Sequence, residues 1–127
     1  MKATGERREW SGSGNRDLVT WQKAMALVGD VYRITGDWPC DEMFGLTYEA
    51  RRAAVSVPVN IAEGQGPTGA KAFLHHLSIA NGSPCETDAY LLIGCQRAYI
   101  DQPTLVPWLE QSAGAGRLIH GLPRSLR

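Results

Sequence analysis

Arg51-Arg52-Ala53-Ala54-Val55-Ser56-Val57-Pro58-Val59-Asn60-Ile61-Ala62-Glu63-Gly64 is the stretch on which the fold turns. Its apolar spacing predicts a helix, yet Pro58 stands in the interior. An interior proline removes a backbone hydrogen bond and clashes with the carbonyl four residues earlier, costing about 3 kcal/mol. Packing must offset that, so this helix is expected against a neighbour rather than in solvent. Thr47 is its expected N-cap and Gly64 its stop. Ala50, Ala53 or Ala54, Val57 and Ile61 make the inward stripe, and its alanines allow a neighbouring helix close approach.

Before it, residues 1–16 are polar, rich in Gly and Ser, and aperiodic, which predicts a disordered arm. A first helix then starts near Asn15 or Asp17 and ends at Gly36. Leu18, Trp21, Met25, Val28 and Tyr32 form one apolar stripe, and Ala24, Leu27, Val31 and Ile34 a second beside it. That face is wider than one neighbour covers, so it suits a bundle interior plus a subunit contact. Residues 37–46 read as a connector with one short helical turn.

After it, residues 64–69 form a loop and a third helix runs from about Ala70 to Tyr99. Phe73, Leu77, Ala80, Leu91 and Cys95 fall at helical spacing along it. Local rules would break it: Asn81-Gly82 is a turn signal, and Ser83-Pro84-Cys85-Glu86 fits a capping box with proline in the first helical position. One kinked helix is the favoured reading. A fourth helix spans roughly Leu105 to Leu122, with Leu105, Trp108, Leu109, Leu118, Ile119 and Leu122 apolar. Short connections favour antiparallel neighbours, which gives an all-α, antiparallel up-down four-helix bundle over 17–122 and a short tail at 123–127.

Thirteen basic residues balance thirteen acidic ones, so nothing in the net charge points to a phosphate-binding protein. Cys40, Cys85 and Cys95 have no metal spacing and read as buried thiols of a cytoplasmic protein. No apolar run approaches the roughly 20 residues that span a bilayer. His75 and His76 are adjacent, point in different directions on a helix and have no glutamate three residues before them, so no metal is expected. Gly64 to Gly69 resembles a phosphate loop only superficially, since it follows a helix and lacks the closing Lys-Ser or Lys-Thr. No catalytic residue, cofactor or enzyme activity is expected.

The polar residues around Pro58 are structural candidates. Ser56 and Asn60 share a face, and the Ser56 hydroxyl or a water is placed to satisfy an acceptor freed by the proline. Pairing the second and third helices about the loop sets Ser56 near Ser78 and Arg52 near Gly82. A charge-assisted bond from Arg51 or Arg52 to Glu86 is therefore expected. Glu63, Gly64 and Ser83 complete this motif.

The run RRAAVSVPVNIAEG, followed by FLHHLSIANGSPCET, resembles the four helix bundle protein family. That family includes the intervening-sequence proteins encoded within bacterial large-subunit ribosomal RNA genes and the accessory variability proteins of diversity-generating retroelements. The segments DLVTWQKAMALVGDVY and WPCDEMFGLTYEAR are similar to the same pattern. The resemblance implies a homopentameric ring and, for the retroelement members, a basic surface binding nucleic acid and a partner reverse transcriptase. This chain departs from it at Pro67, His75 and Asn81, where basic residues are usual, and at Ala50 and Pro84. Three fewer positive charges per subunit weaken the nucleic-acid expectation.

The leading expectation is a non-enzymatic oligomeric scaffold or interaction module, with Trp21, Tyr32 and Trp108 as candidate subunit contacts. The alternative is a nucleic-acid-binding accessory protein acting with a reverse transcriptase or on ribosomal RNA. Arg7, Arg8, Arg16, Lys71, Arg97 and Arg117 are then the candidate contacts, beside Arg51 and Arg52.

Overall fold

A computed structural model describes residues 15–64 and 70–125, without the side chains of 15–17, 64, 70–79, 81, 83 and 123–125. Among the described residues every regular element is helical. The helices are α1 (Asn15–Thr35), α2 (Leu46–Gly64), α3 (Ala70–Gln96) and α4 (Gln102–Ser125), with a 3-10 turn at Cys40–Glu42 between the first two. Helix α1 packs on α2 and α4, and α3 packs on the same two. The disordered arm expected at 1–16 lies outside the described residues, save that Asn15 and Arg16 already belong to α1.

Each helix buries one stripe at alternating spacings of about three and four. In α1 the stripe is Thr20, Ala24, Leu27, Val31 and Thr35, and in α2 it is Thr47, Ala50, Ala54, Val57 and Ile61 with Ala53 beside it. In α3 it is Ala80, Pro84, Thr87, Leu91 and Gly94. In α4 it is Leu105, Trp108, Ser112, Ala115, Ile119 and Leu122. A stripe that keeps such a seven-residue period stays on one side of its helix, which is what a bundle core needs.

The core divides into two clusters. One joins Leu27 and Val31 with Ala50, Ala54, Leu91, Leu105 and Trp108, and the other joins Ala24 with Val57, Ile61, Ala80, Ile119 and Leu122. Pro58 is buried, as its position in a packed helix requires, and α3 continues unbroken through Asn81-Gly82. Pro84 belongs to the buried stripe itself. Burial of Ala80, Pro84, Thr87 and Leu91 outweighs the local preference for a turn.

The helix ends are fixed by specific bonds. The Glu42 carboxylate, not Thr47, caps α2 by accepting from the Leu46 N–H at 3.0 Å. Asp101 Oδ1 caps α4 by accepting from the Thr104 N–H at 3.0 Å. At the end of α3 the Tyr99 N–H donates to the Gly94 carbonyl at 2.8 Å, and the Ala98 N–H to Cys95 at 3.0 Å. These two bonds make a Schellman motif with Ala98 at φ 68°, a place where glycine is usual.

Candidate interaction surface

An open groove of about 380 Å³ lies between the end of α1 and the start of α2. Tyr32, Met43, Tyr48, Arg51, Arg52 and Val55 line it. Tyr32 is 46% exposed and Tyr48 50%, so both aromatic side chains reach solvent. Arg51 is held in place from two sides. Its Nε donates to Thr35 Oγ1 at 2.8 Å, and its guanidinium carbon lies 4.5 Å from the centre of the Tyr32 ring. Thr35 in turn donates to the Val31 carbonyl at 2.7 Å, so the chain of bonds ends in the α1 backbone. A guanidinium anchored this way is pre-organised for recognition.

The turn that carries Met43 is equally fixed. Glu42 Oε2 accepts from the Tyr99 hydroxyl at 2.9 Å while its other oxygen caps α2. The Leu46 N–H, then the Tyr99 hydroxyl and more weakly Arg97, hold the Glu42 carboxyl below the usual glutamate value. Tyr99 stacks at a tilt on Trp38, with ring centres 5.6 Å apart, and Arg97 lies 6.0 Å from the Tyr99 ring centre. The turn leading into α2 is thereby tied to the α3–α4 corner. Phe44, at the tip of that turn, is 90% exposed.

The expected bond from Arg51 or Arg52 to Glu86 is not made. Arg51 takes Thr35 and Tyr32, and Arg52 pairs with Glu49, three residues away, at 3.2 Å. A partner on the same helix turn costs less side-chain ordering than one across a helix interface, so the local pair wins. Glu86 is exposed and acts on Arg52 only weakly through its charge. Around Pro58, the Asn60 amide bonds back to its own helix, at the Ser56 carbonyl (2.8 Å) and hydroxyl (3.2 Å). Glu63 and Gly82 are exposed, and the side chains of Ser78 and Ser83 lie outside the described residues.

The three aromatic contact candidates separate. Tyr32 lines the groove, Trp21 is half-buried against the core cluster of Ala24 and Ile61, and Trp108 is 3% exposed within that of Leu27 and Leu105. Trp108 is therefore a core residue and not a surface contact. Of the candidate cations, Arg97 and Arg117 are exposed, while Arg7, Arg8 and the side chains of Arg16 and Lys71 lie outside the described residues. The thiols are less buried than expected, with Cys40 and Cys85 exposed and Cys95 half-buried.

Sequence reasoning missed Met43, Phe44, Tyr48 and Val55. Tyr48, Val55 and Val59 recur at spacings of seven and four on the side of α2 away from its alanine stripe, which was the available signal. It also missed a polar pair, half-buried Asp88 on α3 and buried Ser112 on α4. Burial pushes the Asp88 carboxyl above the usual aspartate value, and the facing Ser112 hydroxyl pulls it back by less. Neither Asp88 Oδ1 nor Ser112 Oγ completes a hydrogen bond.

A group whose folded pKa is raised binds more protons folded than unfolded, so stability falls as pH rises through the interval. For Asp88 the loss is absent below about pH 4 and complete above the folded pKa. Glu42 acts oppositely, contributing stability at neutral pH that is lost in acid. Asp88→Asn is therefore expected to melt higher than the parent at pH 7, with the difference shrinking toward about pH 4. Thermal denaturation followed by circular dichroism across that range checks it. A variant less stable than the parent at pH 7 would contradict the sign.

The sequence profile described as 23S rRNA-intervening sequence protein matches residues 16–121. The chain belongs to that family. No curated protein sequence matches the chain. A crystal structure described as a protein with unknown function from the S23 ribosomal protein family, from Bacteroides thetaiotaomicron, superposes with a TM-score of 0.78. It is 18% identical, and the match covers 87% of this chain and 99% of that one. At that identity the likeness speaks for the fold. For this family member, no helix among the described residues is long and apolar enough to cross a membrane. No group of three or more His, Cys, Asp or Glu among them could hold a metal ion.

Proposed function

We propose that this chain is a non-catalytic docking subunit of the cytoplasm that associates with copies of itself through the outward face of α1 and α2. The observation that carries the reading is the exposure of Met25, Tyr32, Tyr48 and Val59 on those two helices beside the groove. Half-exposed large apolar side chains recurring on one face of each helix suit an interaction surface. The helices run up-down and antiparallel in this reading, supported by core clusters that join the late half of α1 with the early half of α2. A ring of five is the assembly that the family resemblance implies. Light scattering during size exclusion should give a mass five times the 13.9 kDa of the chain. A monomer at micromolar concentration would end the self-association reading.

A second reading, a nucleic-acid-binding accessory role on ribosomal RNA or beside a reverse transcriptase, draws on the same groove. Exposed tyrosines next to arginines suit stacked bases and phosphates. The balanced net charge counts against it. Binding to single- or double-stranded RNA at ~50 mM salt, weakening steeply with added salt, would favour it.

A further inference from the structure

The turn between the 3-10 element and α2 holds Phe44 out in solvent. Met43 N–H bonds to the Cys40 carbonyl at 3.0 Å, and Gly45 N–H to the Glu42 carbonyl at 2.9 Å. Glu42 itself is pinned at both carboxylate oxygens, by Leu46 and Tyr99. A Cβ on Gly45 would lie 2.9 Å from Glu42 Oε1, so a side chain there would push on the carboxylate that caps α2. The result is a stiff tip that holds a phenylalanine 90% in solvent. Ordering such a side chain costs little on binding, because the backbone beneath it is already fixed.

Among the described residues nothing fills the groove next to it. Met43 forms one wall, so Phe44, one residue on and turned into solvent by the pinned turn, does not fill it. The charges around the two features are complementary. Asp37 and Asp41 are exposed on the connector that carries the tip, and the groove is lined by Arg51, which meets no carboxylate among the described residues, and by Arg52, paired at the surface with Glu49. We infer that Phe44 of one copy seats in the groove of a second copy, between Tyr32 and Tyr48, with the connector carboxylates facing Arg51 and Arg52. The groove is thus a protein-binding site completed by another subunit. This assignment rests on the self-association reading and names the contact that carries it. Tip and groove are separate patches of one chain, so the contact is reciprocated in a pair or repeated head to tail around a ring.

Phe44→Glu removes the tip and leaves the groove, and Tyr48→Glu spoils the groove and leaves the tip. Both positions are exposed, and a glutamate in the first turn of α2 agrees with the helix dipole, so both variants are expected to fold with parent-like circular dichroism. Each should weaken self-association at least roughly 30-fold, the scale of a central aromatic contact. Mixed one to one, the variants should form a heterodimer, because one intact tip then meets one intact groove. A parent oligomer with either variant undiminished, or two monomeric variants that stay monomeric when mixed, would overturn the assignment alone. A monomeric parent would overturn it together with the reading beneath it.

Discussion

Gly94→Ala is expected to destabilise the protein by about 2 kcal/mol, the opposite of what helix propensity predicts. Glycine inside a helix costs up to about 1 kcal/mol relative to alanine, so the exchange should help on that ground alone. Gly94, however, is buried in the last turns of α3 with the Trp38 indole laid against it. A Cβ there would stand 2.6 Å from both Cη2 and Cζ2 of that ring. The indole is rigid and itself buried, so ring or helix must move. Overpacking of this kind costs about 1–3 kcal/mol, and rigid carbon on both sides places it at the upper end. The shift would also disturb the Trp38–Tyr99 stack and, through Tyr99, the bond to Glu42.

The measurement is a thermal melt, where a net loss of that size lowers Tm by roughly 8 °C. Two comparisons give it meaning. Gly29, exposed in α1 with open space where its Cβ would go, should gain stability from the same exchange. With Trp38→Leu as the background, Gly94→Ala should lose its penalty, since contacting residues couple by about 0.5–3 kcal/mol. A higher Tm for Gly94→Ala in the parent would show that the indole yields freely, and the close approach would then carry no weight.

What the sequence disclosed, and what it did not, follows from the range of each interaction. The stripe of Ala50, Ala54, Val57 and Ile61 was legible because a helix repeats its burial every three to four residues, and both Ala53 and Ala54 proved buried. On α1 the two apolar stripes were visible, but spacing alone does not say which faces inward. Ala24, Leu27 and Val31 do, while Met25 and Tyr32 of the other stripe remain half in solvent. Thr20, Thr35 and Ser112 occupy core positions that polarity disguised. The bond from Tyr99 to Glu42 joins residues 57 apart with no periodic signal between them, so only the folded chain brings it into view. The Arg51 and Arg52 assignment failed for a different reason. Register placed Glu86 in the neighbourhood, but register does not rank it against Glu49 or Thr35, which are nearer along or across the chain.

Trp108 was open to two readings, and its substitutions should separate them by a large margin. Trp108→Ala is expected to cost about 3–5 kcal/mol, the loss for emptying a large aromatic from a core. That is a substantial part of the roughly 5–15 kcal/mol that holds a domain of this kind together, so the variant should be close to unfolding at 37 °C. Trp108→Phe should behave quite differently. The indole Nε1 is buried without a hydrogen-bond partner, and removing an unsatisfied polar group recovers about 1–3 kcal/mol. That gain works against the smaller ring's loss of contacts with Leu105, Leu91 and their neighbours in the same core cluster. Trp108→Phe is therefore expected within about 1 kcal/mol of the parent by urea denaturation, with the alanine variant far below both. Because the ring lies inside the bundle, Trp108→Phe should also leave the mass seen by light scattering unchanged. If it instead dissociated the assembly without lowering stability, Trp108 would be facing another subunit, and its place in the core would have to be abandoned.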